Sequence, residues 1–209
     1  MKIDGVQIDQ AFLTQLERDL ELLLSQPSIR EVRPCPGCNL PCACSGSRTC
    51  TCQCSQQCEH LGMRLSSEPD RYPIEPKIIP LVFELASLRV CKPCWSCEGH
   101  LSTTGEVQKL PRAWFITRSL LYPRFIGEYI STLKHRGLIK SLWTINLAFS
   151  GNRFDAAFSI EPSVGIGKTP NLGQLQRESK IIADGLVQGV RAQARRSHID
   201  LQEAKRRAA

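Results

Sequence analysis

No cysteine lies outside the stretch from Cys35 to Cys97, although the 209-residue chain holds 11 of them. No uncharged apolar run approaches the ~18 residues that a membrane span needs. The start, Met1-Lys2-Ile3-Asp4-Gly5, lacks a basic stretch followed by an apolar one, so no secretory signal is expected. These absences predict a chain kept in the reducing cytoplasm, where crowded cysteines serve as metal ligands rather than disulfides. The odd count agrees, since pairing would leave one thiol over.

Catalytic signals are also missing. No nucleophile–base set and no paired carboxylates stand at an informative spacing. Glu98, beside Cys97, would act on a metal-bound water only at an open coordination position, and the sites read as full. Gly167-Lys168-Thr169 has the setting of a phosphate-binding loop, but the glycine required five residues earlier is Pro162. Nothing here argues for an enzyme.

What is present is ordinary in bulk and unusual in one place. Apolar content of 42% and charged content of 22% fit a globular protein. The formal charge of +7 counts cysteines as neutral; ligation of all eleven as thiolates to about three divalent ions would bring it near +2. Charge alone is therefore thin support for nucleic-acid binding.

The first cysteine cluster holds Cys35, Cys38, Cys42, Cys44, Cys50, Cys52, Cys54 and Cys58, with His60 close behind. The gap in Cys35-Pro-Gly-Cys38 lets two sulfurs turn toward one ion. The Cys-X-Cys steps more readily feed neighbouring ions through bridging sulfurs. Eight sulfurs would fill two four-coordinate zinc sites; with His60 they match a three-zinc, sulfur-bridged ring. With so little apolar surface, residues 34–60 need metal as their staple. At the level of motif, about 25 residues here resemble the cysteine-rich zinc clusters beside some chromatin-modifying domains, and metallothioneins. A resemblance of this extent carries no function with it.

The second cluster is Cys91-Lys-Pro-Cys94-Trp-Ser-Cys97-Glu-Gly-His100. Three sulfurs and an imidazole would complete a zinc site. The same cysteine spacing also presents three ligands to a [4Fe–4S] cluster in bacterial ferredoxins, though the proline that follows there is absent. A third reading has Cys91 to Cys97 completing coordination begun by the first cluster.

The remaining chain predicts an α+β fold: a small metal-stapled segment plus a compact domain of strand, helix, β-hairpin and long C-terminal helix. Residues 1–30 carry an amphipathic helix over 9–25, with Ile8, Phe12, Leu16, Leu20 and Leu23 on its stripe and Leu13 and Leu24 beside it. Residues 31–104 are the cysteine-rich region with a proline-rich connection, and a short helix with Pro80 in its first turn runs into Cys91. Residues 105–209 are the α+β domain. There Arg112 to Arg118 reads as a strand, and Pro123 opens a helix that buries Phe125, Ile126, Tyr129, Ile130 and Leu133 and stops at Gly137. Alternation in Trp143–Phe149 and Phe154–Ile160 predicts a hairpin turning at Gly151-Asn152, with Ile145 opposite Phe158.

Within residues 172–207 the stripe Leu175, Ile182, Leu186 and Val190 is weakened by Gly185 and Gly189. The end is basic, with Arg191, Arg195, Arg196, Lys205, Arg206 and Arg207, interrupted by Asp200 and Glu203. Trp114 between Arg112 and Arg118 reads as core with snorkelling edges in preference to a stacking face for nucleic acid. His135 complements its helix end, and His198 shows no partner.

The expectation is a cytoplasmic multi-zinc protein, with two to four ions by ligand count, whose thiolate sites order a surface for a protein partner. The alternatives are an iron–sulfur protein at Cys91, Cys94 and Cys97, metal storage or delivery, and zinc-dependent nucleic-acid binding.

Overall fold

The computed structural model describes residues 10–26, 74–152, 155–165 and 169–208. The first cysteine cluster, Cys35 to His60, lies outside them, as do the phosphate-loop-like Gly167-Lys168 and the residues Arg153 and Phe154.

Ten elements follow in order: α1 (Gln10–Ser25), α2 (Ile79–Ser87), β1 (Lys92–Cys97), β2 (His100–Leu101), β3 (Val107–Lys109), β4 (Arg112–Thr117), α3 (Leu121–His135), β5 (Leu142–Asn152), β6 (Asp155–Ser163) and α4 (Leu172–Ala208). The fold is α+β. A four-stranded antiparallel sheet is ordered β1-β4-β6-β5; α2 and α3 pack against it, and α4 packs on α1, α2 and α3 in one shared core. β2 and β3 form a separate two-stranded ribbon that straddles the expected boundary near residue 104, and β1 pairs with β4. The second cysteine cluster is thus part of the sheet that the later strands complete.

Period-two alternation places Ala113, Phe115 and Thr117 of β4 inward, and their partners Ile160, Phe158 and Ala156 face the same way. Phe115 and Phe158 stack with centroids 5.9 Å apart. The same buried cluster takes in Leu81 and Leu85 of α2, Phe125 and Ile126 of α3, Ile182 and Leu186 of α4, and Leu20 and Leu23 of α1, all wholly buried. Proline in the first turn of α2 costs nothing there, because that N–H has no helical partner. Gly137, with φ of +70°, ends α3 as expected, its N–H bonding Lys134 O and that of Leu138 bonding Leu133 O.

Several expectations change. The hairpin register is displaced by two: Ile145 faces Ile160 and Leu147 faces Phe158, and the strands run through Gly151 and Asn152 to pair Asn152 with Asp155. An even displacement keeps the same residues on the same face, so alternation alone could not choose between the registers. Irregularities after Leu147 then adjust the pairing toward the tip. Burial fades in that direction, from Trp143 at 4% exposed to Leu147 at 61%. In α1 the inward stripe runs through Leu13, Leu16, Leu20, Leu23 and Leu24, leaving Phe12 exposed.

Trp114 is not core. It lies with Arg112 and Ile116 on the sheet face opposite the helices, directly across from Trp95. The two indoles meet with centroids 5.3 Å apart at 59°. Arg118 falls in a bend beyond the strand.

The carboxylate of Glu178, 3% exposed, fastens α4 to the entry of β5. It accepts the N–H groups of Lys140 (2.7 Å) and Ser141 (3.1 Å), the Trp143 indole N–H (3.0 Å) and the Gln174 amide (3.0 Å). Burial alone would raise this carboxyl, but the bonds from Trp143, Gln174, Lys140 and Ser141 outweigh it and hold it below the ordinary value.

Candidate metal centre

The extended β1 separates the cysteines of the second cluster. Three residues of strand span roughly 10 Å, so Cys91, Cys94 and Cys97 do not converge on one point. Cys91 joins the hydrophobic core, where burial pushes its thiol well above the ordinary range, as expected of a structural cysteine. Cys94 sits at the strand irregularity, partly buried, and burial raises its thiol against the opposing pull of the Lys92 cation.

Cys97 and His100 do come together, and their companion is Glu75. One ligand atom from each of Glu75, Cys97 and His100 lies within 4.8 Å of the others. Glu75 stands in the turn before α2, its backbone carbonyl accepting the Ile78 N–H, and is 3% exposed. Cys97 ends β1 and is fully buried. His100 opens β2, a third of its side chain exposed, with Nε2 3.0 Å from Glu75 Oε1 across 25 residues of chain.

The connection between Cys97 and His100 is built around Gly99. Its φ of +84° is a conformation that side chains other than glycine's rarely adopt, and it turns the Gly99 N–H onto the Cys97 sulfur at 3.4 Å. A Cβ there would also stand 2.6 Å from Leu172 Cδ1 and 3.0 Å from both Lys109 O and Pro111 Cδ. The loop is anchored on both sides. Glu98 N–H donates to Glu75 Oε2 at 2.6 Å, and Glu98 Oε2 accepts the Lys77 N–H at 2.8 Å. Gln176 of α4 completes the clamp, donating to Glu98 O at 3.0 Å while accepting from Lys77 Nζ at 2.9 Å. Glu98 is therefore a loop anchor, with its carboxylate turned to the α2 turn.

Sulfur, imidazole nitrogen and carboxylate oxygen are the three donor types zinc accepts, and three protein ligands leave one position for a further ligand. No spacing rule in the sequence points to Glu75. It lies between the two cysteine clusters, flanked by Ile74 and Pro76, and only the packing of the α2 turn against β1 brings it in.

Among the described residues one other group has a comparable donor set: Glu17, Glu21 and His198, where α1 meets α4. His198 thus has acidic neighbours that the sequence did not disclose. Glu17 is already engaged, accepting from Lys205 Nζ at 2.6 Å and Gln202 Nε2 at 2.8 Å, bonds that hold its carboxyl below the ordinary value. The basic end of α4 is likewise largely occupied: Arg191 bonds Gln26 O at 3.0 Å, Arg196 bonds Gln193 at 2.6 Å, and Arg207 pairs with Glu203 at 3.4 Å. Lys205 and Arg207 of this end meet carboxylates; the bonds of Arg191 and Arg196 to neutral oxygens leave their charge in place.

Fold and site together define an α+β protein with a candidate centre of mixed sulfur, nitrogen and oxygen donors. No protein-family model, curated protein or solved structure matches the chain.

Proposed function

We propose that this is a zinc-binding accessory protein, in which an ion at Glu75, Cys97 and His100 ties the turn before α2 to the β1–β2 loop and steadies a surface for a protein partner. The observation that carries the reading is the convergence of three different ligand types within 4.8 Å from two distant chain segments. Cross-linking by an ion would add to the hydrogen bonds already clamping that loop and so contribute folding free energy. The eleven cysteines support further zinc in the same chain.

The test is elemental analysis of protein purified without oxygen. About two to four zinc and little iron per chain are expected, with about one zinc fewer in Cys97→Ser. A brown protein absorbing near ~400 nm and rich in iron would replace this reading with iron–sulfur chemistry. An unchanged zinc count in both Cys97→Ser and His100→Ala would remove the ion from this site.

A further inference from the structure

The sheet face turned away from the helices carries a row of side chains that packing does not account for. In register across it stand Trp95, Trp114, Ser159 and Asn146. The two indoles are partly exposed, touch each other, and belong to no part of the hydrophobic core, which draws its sheet residues from the opposite face. Large aromatic surface is costly to leave near water, so a pair of tryptophans held outside the core points to a ligand. Lys92, exposed, lies across from Ile116 on one side of the row. Arg112 lies on the other, 34% exposed and 3.6 Å from Glu161.

We propose that this face docks single-stranded nucleic acid, with bases stacking on Trp95 and Trp114 and a phosphate meeting Lys92. Aromatic platforms bordered by cations suit single strands because every base has a face to stack and every nucleotide a charge to neutralise. The charges favour this occupant. The carboxylate in the row beside the indoles, Glu161, already has Arg112 beside it and accepts the Asn146 amide at 2.8 Å, which leaves Lys92 free to meet a phosphate. A proline-rich peptide would also use paired tryptophans but would have no need of the cations. Cys97 of the candidate metal centre pairs with Arg112 across β1 and β4, but neither tryptophan belongs to that centre.

The experiment titrates the full chain into a fluorescently labelled oligothymidine of about 15 nucleotides and reads anisotropy at several salt concentrations. Binding at low salt is expected, weakening as salt rises. Trp95→Leu should lower affinity roughly 5- to 150-fold, the loss that goes with one stacked base, whereas Trp95→Phe, which keeps a ring, should retain most of it. Lys92→Gln should reduce the salt slope by about 1. Arg195→Ala with Arg196→Ala, on the distant end of α4, should change nothing. The proposal is overturned by absence of binding at about 50 mM salt, by equal losses in Trp95→Leu and Trp95→Phe, or by loss in the α4 variant. It is overturned equally if a proline-rich peptide binds the tryptophans and the oligonucleotide does not.

Discussion

The ring of Tyr129 on α3 fills the space that a side chain at Gly189 on α4 would occupy. A Cβ at Gly185, one turn earlier, would stand 2.7 Å from the Tyr129 hydroxyl, and that hydroxyl donates to Ile182 O at 3.2 Å. The two glycines that look like weak points in the stripe of α4 are what let α3 and α4 meet closely.

That contact sets two effects of Gly189→Ala against each other. Alanine is the better helix former by about 1 kcal/mol. Forcing a methyl group into a filled space costs about 1–3 kcal/mol. The clash is with ring atoms on a buried residue, so the substitution should destabilise the protein by urea unfolding. In a Tyr129→Ala background the space is open, and the same substitution should become neutral or stabilising. A Gly189→Ala variant that is more stable than the parent with Tyr129 intact would disprove the close approach.

Glu178 makes stability depend on pH in a definite direction. Its carboxyl titrates lower when folded than when unfolded, so the folded state binds its proton less readily. The stabilisation is fully present above the unfolded carboxylate range, near ~4.3, and is lost as pH falls through the lower folded value. Glu178→Gln should cost about 1–3 kcal/mol near neutral pH, because one amide cannot accept from all the N–H donors gathered there. The gap between the two proteins should narrow as pH falls below about 4. A gap that stays constant with pH would show that shape rather than charge holds the latch.

Removal of metal should act locally. With a strong chelator, amide exchange should quicken in the turn at Glu75–Ile78 and across the β1–β2 loop and β3, where an ion at Glu75, Cys97 and His100 would hold the chain. Protection in β5, β6 and α3 should persist, since those elements rest on the hydrophobic core. If a modest competitor removes zinc and exchange stays unchanged everywhere, storage or delivery of metal becomes the better account.

Some of this protein is written in local patterns. Helical spacing of leucines placed α1 and the stripe of α4, Pro80 and Gly137 marked helix ends, and alternation from Trp143 onward announced the β5–β6 hairpin. Such features depend on a few neighbouring residues and the periods of backbone geometry, which any sequence displays. The second cysteine cluster was legible as chemistry but not as geometry. Two-residue gaps bring sulfurs together on a tight turn, and here Cys91 to Cys97 lie along a strand because β4 offers that segment a partner. The choice of Glu75 to join Cys97 and His100, the two-residue displacement of the hairpin, and the placing of Trp114 beside Trp95 away from the helices all depend on residues distant in the chain. The alternation of Arg112, Trp114 and Ile116 is the same whichever face turns inward. Only the packed structure shows that Ala113 and Phe115, paired with Ile160 and Phe158, are the ones that join the core, because close packing depends on partners far along the chain.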